Sequence, residues 1–334
     1  MPVEQPSTTL GPLGTALNEL RADIELNIGD IDEIKLALKL IEDRVKALES
    51  RGQNTTPTPA PTPAPVTVTP APVQSPEMYL RTVIPQPNAS WAIIDREDTV
   101  IDLGGASYPN LVVEIAAGVR HVGIRNGTLR AVRGRRNADD TSHITGLLLA
   151  DLNIHNGQGT AILTHGDFLA MRNVTATARE YCLYHGGTAQ TTGAILFNCN
   201  FTSEGPESTA RFTGVSSLLV DNCQLSNGHK HALRVHGTCN HITIRDTDLV
   251  GAGNGLCIGS MGPQVPASIR RALLDRVTID VQGPDRLNLA RDGSLIELTI
   301  SDSYVRSPEA WNLVQEYLGN HPASWDVSGL KELV

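Results

Sequence analysis

The sequence predicts an all-β column, a parallel β-helix of about nine coils, preceded by a three-stranded α-helical coiled coil. Three observations predict it. Apolar residues from Leu13 to Leu48 step by four and three without drifting. A proline-rich run, TTPTPAPTPAPVTVTPAPV, follows at residues 55–73. Beyond it one phrase recurs every 22–30 residues or so: apolar, any, apolar, any, Asn or Asp, any, any, apolar.

The first element is the seam at residues 13–51. Its a positions are Leu17, Ile24, Ile31, Leu38 and Val45; its d positions include Leu20, Asn27, Ile34, Ile41 and Leu48. A 3.6-residue period would leave such a seam over this length, whereas a supercoiled 3.5 period stays on it. Ile34 and Ile41 at d favour three strands over two, so a homotrimer is expected. Asn27 is the one polar core layer and fixes register at a cost in stability. It resembles the Asn layers of trimeric fibrous adhesins. Residues 52–74 then form a spacer. Alternate prolines forbid a helix, and the segment extends at about 3.1 Å per residue.

The β-helix with its N-terminal capping helix is expected over residues 75–306, and the repeated phrase runs through it from the corner at Asp102 to that at Asp302. Val122, Ile124, Asn126 and Leu129 fit it, as do Leu218, Val220, Asn222 and Leu225. Alternation by two excludes helical repeats, and the period is too short for propeller blades. A coil of about three short strands per repeat remains. The Asn/Asp position marks a tight corner, since these residues tolerate the left-handed conformation best after Gly. The corners form a ladder of Asp102, Asn126, Asp151, Asn173, Asn198, Asn222, Asp246 and Asp302. Arg276 stands at one corner, where a different turn or an insertion is expected. Helix-start signatures at Ser75-Pro76-Glu77, before MYLRTVI, and at Ser307-Pro308-Glu309 predict a capping helix at each end of the column. Residues 307–334 complete the second cap and a tail laid on the column or on a neighbouring chain.

Composition narrows the function. The net charge of −9 argues against a nucleic-acid partner, and aromatics at 4% argue against a base-stacking platform. No apolar run reaches the length of a membrane span, so no membrane insertion is expected. The opening MPVEQPSTTLGPLG has no basic start followed by an apolar stretch, and synthesis in the cytoplasm is expected. Five cysteines without a CxxC are expected as small buried thiols. No cofactor and no metal site is expected.

A second row of residues carries the candidate chemistry. AILTHG, YCLYHG, ARFTG and ALRVHG stack His165, His185, Thr213 and His236 at one position, with Leu163, Leu183, Arg211 and Arg234 two residues earlier. Facing solvent, that row forms a groove for sugar hydroxyls and acidic groups, with Arg supplying bidentate contacts. A solvated face whose like residues stack because the fold repeats is the alternative. The stretch RNGTLRAVRGRRN adds Arg133, Arg135 and Arg136 as anion contacts, or as charges that keep a loop soluble. Glycoside hydrolysis needs two carboxylates about 5–9.5 Å apart. Its candidates are Asp167, Glu180, Glu204 and Glu207. Zinc ligation by the histidines lacks a carboxylate or thiolate complement.

VIDLGGA and the recurring I-x-N-x-x-φ corner resemble the right-handed parallel β-helix of the pectin-lyase-like superfamily over residues 98–305. The shared residues are structural, so the resemblance implies a fold more than an activity. Lyases of that fold carry clustered Asp ligands for calcium, and no such cluster is found here. Stalk, tether and β-helix together resemble a bacteriophage tailspike or fibre, or the head spike of a phage-like particle. This implies a virion protein anchored through residues 1–12 to a baseplate, tail or capsid-vertex protein, with the column attaching to host surface glycan. The alternative it implies is a depolymerase cleaving capsular polysaccharide or lipopolysaccharide.

Overall fold

In the computed structural model, residues 81–134, 144–227, 229–251, 254–259, 268–281, 288–291, 295–306, 319 and 322–333 are described. All belong to the unit Gln74–Val334. The coiled-coil seam, the spacer, the two helix starts at Ser75 and Ser307, and Arg135 and Arg136 lie outside the described residues.

The repeats wind into a parallel β-helix of about 8 turns. The sequence counts nine corners, and nine corners bound eight steps from coil to coil. Every pairing between coils is parallel, and three faces result. On the first face Ile101, Ile124, Leu149, Met171, Leu196, Val220, Ile244, Leu274 and Ile300 stand in one register column. All are at most 2% exposed. On the second face Leu129, Ile154, Ala176, Phe201, Leu225, Leu249, Ile279 and Val305 form another column, each fully buried. These are the two apolar positions that flank the corner in the repeated phrase. The third face is built from short segments, among them Ile162–Thr164 and the first residues of Leu183–Phe197 and Ala210–Asp221.

Between the first and second faces the chain turns at one residue with positive φ. Asn126 has φ of 60°, Asp151 56°, Asn173 53°, Asn198 52°, Asn222 50°, Asp246 48° and Asp302 42°. Two positions differ from the sequence reading. Arg276 makes the same left-handed corner, with φ of 51°, and not a different turn. Its guanidinium reaches back to both oxygens of Asp246, at 2.6 and 2.9 Å, and also pairs with Asp275. Asp102 is in the ladder but is not left-handed. Gly104 and Gly105 take that conformation, and the Asp102 carboxylate accepts the Gly104 N–H.

The corner side chains bond up the column. Asn126 donates to Asp102 at 3.1 Å, Asn173 to Asp151 at 2.8 Å, Asn198 to Asn173 at 2.7 Å and Asn222 to Asn198 at 3.3 Å. An inner ladder runs beside this outer one. The residue after each left-handed corner has a backbone N–H that turns away from the strand ladder, and buried N–H groups need acceptors. The next coil supplies them from the equivalent position. Cys199 N–H meets Cys223 Sγ at 3.4 Å, Cys223 N–H meets Thr247 Oγ1 at 3.2 Å, and Val277 N–H meets Ser303 Oγ at 3.0 Å. Each acceptor donates its own proton to the carbonyl two residues back, as Thr247 does to Arg245 and Ser303 to Ser301. Cys199 and Cys223 thus occupy hydroxyl positions. All five cysteines are free and buried.

The ends are strand-covered where they are described. Arg81–Val83 pairs with Thr99, Val100 and Ile101 as a strand, so these residues of MYLRTVI are not helical. Thr82, Val83 and Ile84 are β-branched and suit a pleated edge better than a helix. At the other end Trp325 pairs with Leu298, sits 6% exposed, and donates its indole N–H to the Leu295 carbonyl. Leu330–Glu332 pairs with Ser303, Tyr304 and Val305.

Two substitutions test the ladders. Asn198→Ala loses two amide links and the short polar side chain that lets a residue with a β-carbon bear the left-handed region, and is expected to cost about 2 kcal/mol in denaturant unfolding. Asn198→Gly loses only the links and should cost about half as much. Thr247→Val keeps the shape and removes the acceptor for a buried N–H. It should cost about 1–3 kcal/mol by the same measurement.

Candidate functional site

The third face carries a cluster in which two tyrosines, cationic groups and a carboxylate meet. Its strands are positioned by buried polar corners of another kind. Asn227, 4% exposed, donates to the Glu207 carbonyl and accepts the N–H groups of His229 and Lys230. Asn156, 1% exposed, does the same work one end earlier, donating to the Thr160 carbonyl at 2.7 Å and accepting Gln158 N–H. These side chains fix where the chain enters the third face.

The observed register corrects the predicted row. Leu163 pairs with Tyr184, Tyr184 with Arg211, and Arg211 with Arg234. Leu183 pairs with Ile162 and Ala210 and is fully buried. His185 aligns with Thr164 and Phe212 and points into the column, 1% exposed. Gly186 takes the position opposite Thr213, and Thr213 aligns with His236. Gly186 has φ of 124°, and a β-carbon there would fall 2.1 Å from the Thr213 carbonyl oxygen. His165 and His236 are also buried, at 2% and 1% exposed. The three histidines therefore do not form a solvent-facing row. Two are fixed by geometry within the fold. His185 Nδ1 shares a 3.0 Å hydrogen bond with Thr164, and its ring meets Phe212 edge-on.

His236 lies under Arg211. Arg211 donates from Nε to His236 Nε2 at 2.7 Å and from Nη1 to the Tyr181 hydroxyl at 3.1 Å. Its guanidinium lies over the Tyr184 ring at 4.8 Å, and Tyr184 stacks on Tyr181 with ring centroids 5.5 Å apart. Tyr181 donates to Glu207 at 2.7 Å, and Lys230 reaches the same carboxylate oxygen at 3.2 Å. One connected chain results: Lys230, Glu207, Tyr181, Arg211, His236. Tyr181 and Tyr184 are absent from the predicted row, because aligning the HG pairs placed Leu183 where Tyr184 stands.

The electrostatics follow from this chain. Because it accepts from a guanidinium, His236 is neutral, with its proton on Nδ1. Burial, then the charges of Arg211 and Arg234, push its pKa down to about 3. Burial and His165 push His185 down to about 3 as well. Burial acts to raise Glu207, but the Tyr181 and Lys230 hydrogen bonds and the nearby cations outweigh it, and the net shift is downward. Burial and the Glu207 hydrogen bond raise Tyr181.

The other predicted residues are dispersed. Arg133 is exposed on the third face, opposite Glu114 and Leu163. From the same stretch, Arg125 bonds Asp102 at 2.7 Å and Arg130 bonds Gln158 at 2.5 Å. Glu180 is exposed and accepts from Thr160 at 3.1 Å, Glu204 is exposed, and Asp167 is half-buried in a turn beside Ile144. Glu207 alone of the four carboxylates joins the aromatic cluster. Among the described residues no group of His, Cys, Asp and Glu could hold a metal ion. No protein-family model, curated protein or solved structure matches the chain.

The buried histidines set a pH dependence. Each has an unfolded pKa near 6.5 and a folded pKa near 3. The unfolded chain therefore binds the proton first, and stability is complete above pH 6.5 and is lost as pH falls toward 3. The melting temperature should drop across this window, and His185→Gln combined with His236→Gln should flatten the drop.

Proposed function

We propose that the chain is a spike or fibre protein of a phage or phage-like particle, trimeric through its heptad seam, whose right-handed β-helix attaches to a surface polysaccharide. The observation that carries the binding reading is the Arg211 guanidinium held between Tyr184, Tyr181 and His236 on the outer side of the third face. Tyrosine rings offer an apolar face and a polar edge, which suits the alternating CH and OH surfaces of a sugar. Arg211, fixed by hydrogen bonds to His236 and Tyr181, and Arg234 on the adjacent strand add donors for hydroxyl or acidic groups. Tyr181, Arg211 and His236 are positioned by hydrogen bonds in the free chain, so they need little ordering on binding. Three such faces on one stalk would gain avidity.

Cleavage is the alternative, and the geometry favours it less. Glu207 is held as a carboxylate by Tyr181 and Lys230, whereas a general acid needs a raised pKa. Binding and cleavage separate in one experiment on the full-length protein. Purified bacterial surface polysaccharides are arrayed, and each retained polymer is assayed for new reducing ends. The expected result is retention without reducing ends, with Tyr184→Ala weakening retention about tenfold, the scale of one aromatic contact, and Gln224→Ala on the second face leaving it unchanged. Retention that survives Tyr184→Ala removes the site. Reducing ends that vanish in Glu207→Gln convert the reading to a depolymerase.

A further inference from the structure

Two of the five buried cysteines stand on each other. Asn200 pairs with Gln224 in register, and the Asn198 N–H reaches the Asp221 carbonyl, so Cys199 lies over Cys223 in the adjacent coil. The other three have different neighbours: Cys239 pairs with Ile269, Cys257 pairs with Arg234, and the Cys182 N–H meets the Thr209 carbonyl. The stacked pair occupies the inner ladder, where sulfur is the weaker choice. The Cys199 N–H meets sulfur at 3.4 Å, whereas the equivalent donors of Cys223 and Val277 meet hydroxyl oxygen at 3.2 and 3.0 Å. A thiol is a weak acceptor, so serine or threonine would serve the ladder better. Sulfur at two consecutive rungs therefore has another consequence to offer.

We infer that Cys199 and Cys223 form an oxidation site, which a peroxide closes to a disulfide that staples two coils of the column. Parallel strands in register lie about 4.8 Å apart, inside the range of about 4.4–6.8 Å that a disulfide spans between α-carbons. Closing the bond shortens the gap between the two β-carbons by about 1 Å. The sulfurs already touch. The hydrogen bond with the Cys223 side chain chiefly holds the Cys199 thiol below its ordinary range, and the same contact, with burial, pushes Cys223 up. Cys199 is then the nucleophile, since the thiolate is the reactive form. It attacks one oxygen of the peroxide, the O–O bond breaks, and a sulfenic acid and hydroxide form. The Cys223 sulfur displaces the sulfenic hydroxyl, which leaves as water with the Cys223 proton, and the Cys199 proton neutralises the hydroxide. Two thiols and one hydrogen peroxide thus give one disulfide and two waters; the sulfurs are oxidised and the peroxide oxygens reduced. Cys199 is 2% and Cys223 5% exposed, so an oxidant as small and uncharged as peroxide suits the site. The bond joins residues 24 apart in sequence and constrains the unfolded chain accordingly. It lies at the corner between the first and second faces, so the inference is independent of what the third face binds.

The test uses the full-length protein, reduced and native, incubated with hydrogen peroxide. It is then unfolded with an alkylating agent present, and the intact mass counts the free thiols. The expected result is a fall from five alkylated thiols to three, two having joined. Peptide mapping without reductant should find Cys199 linked to Cys223, and a dithiol reductant should restore all five. The oxidised protein should melt about 5 °C or more above the reduced one. Cys199→Ser and Cys223→Ser keep an acceptor in the inner ladder, so both variants should fold, and neither should melt higher after peroxide. Five alkylated thiols after peroxide overturn the site, as does oxidation to sulfinic acid with no bond formed. A bond between any other two cysteines, or a melting rise that persists in either serine variant, overturns the assignment. A Cys199–Cys223 bond that leaves the melting temperature unchanged or lowers it overturns the staple.

Discussion

The column depends on one backbone constraint: the chain must turn through a left-handed residue at the same place in each coil. For an L-residue with a β-carbon that conformation costs about 1–2 kcal/mol, and Asn and Asp bear it best. The turn has a second consequence. It swings the next N–H out of the strand ladder and into the interior, where an unmet donor is expensive. The Cys223, Thr247 and Ser303 side chains meet that demand from the following coil. The outer and inner ladders are therefore one device. The first exists because the corner selects short polar residues, the second because the corner orphans a donor.

The acidic members of the outer ladder show how the constraint propagates. An Asn can both donate and accept, so Asn173, Asn198 and Asn222 link without help. An Asp only accepts, and it brings a charge. Each Asp in the ladder has a cation on the next coil: Arg125 for Asp102, Arg172 for Asp151, Arg276 for Asp246 and Lys331 for Asp302. The pairs are partly exposed, so each contributes little to stability alone. Their effect is on register, because a slip by one coil would set charge against amide. Arg276 is the extreme case. It occupies the corner itself, and its reach back to Asp246 accounts for an arginine where Asn is the rule.

What the sequence made legible divides along the same line. The corner was readable because a φ constraint selects residue types, and the flanking apolar columns were readable because they alternate by two. The site row was not. The HG pairs of THG, YHG and VHG suggest one alignment, but they do not share a register: His185 aligns with Thr164, whereas His236 aligns with Thr213. A slip of one residue on a strand moves a side chain to the other face. It hid Tyr184 and put His185 in solvent when it lies inside. The inner ladder was missed because thiols in hydroxyl positions look like ordinary buried cysteines.

Strict periodicity explains why the column can hold distinct surfaces at all. Once the inward positions are fixed, the outward ones are free to vary face by face, and stacking turns any choice into a continuous row. Thr128, Asn153, Thr175, Asn200 and Gln224 on the second face leave it to water. On the third face, Arg211 beside Arg234 sets like charges on neighbouring strands, which works against stability. The arrangement persists because His236 stays neutral beneath Arg211, Tyr184 lies under its guanidinium, and Glu207 and Tyr181 complete the chain. Arg211, held by this scaffold beside Arg234, is the group the proposed glycan contact would use. The polar second face has no comparable tension, and Leu148, Ala170, Ile195 and Leu219 on the first have no polar side chain to offer a sugar. The third face is therefore the one whose chemistry the proposed glycan contact would use.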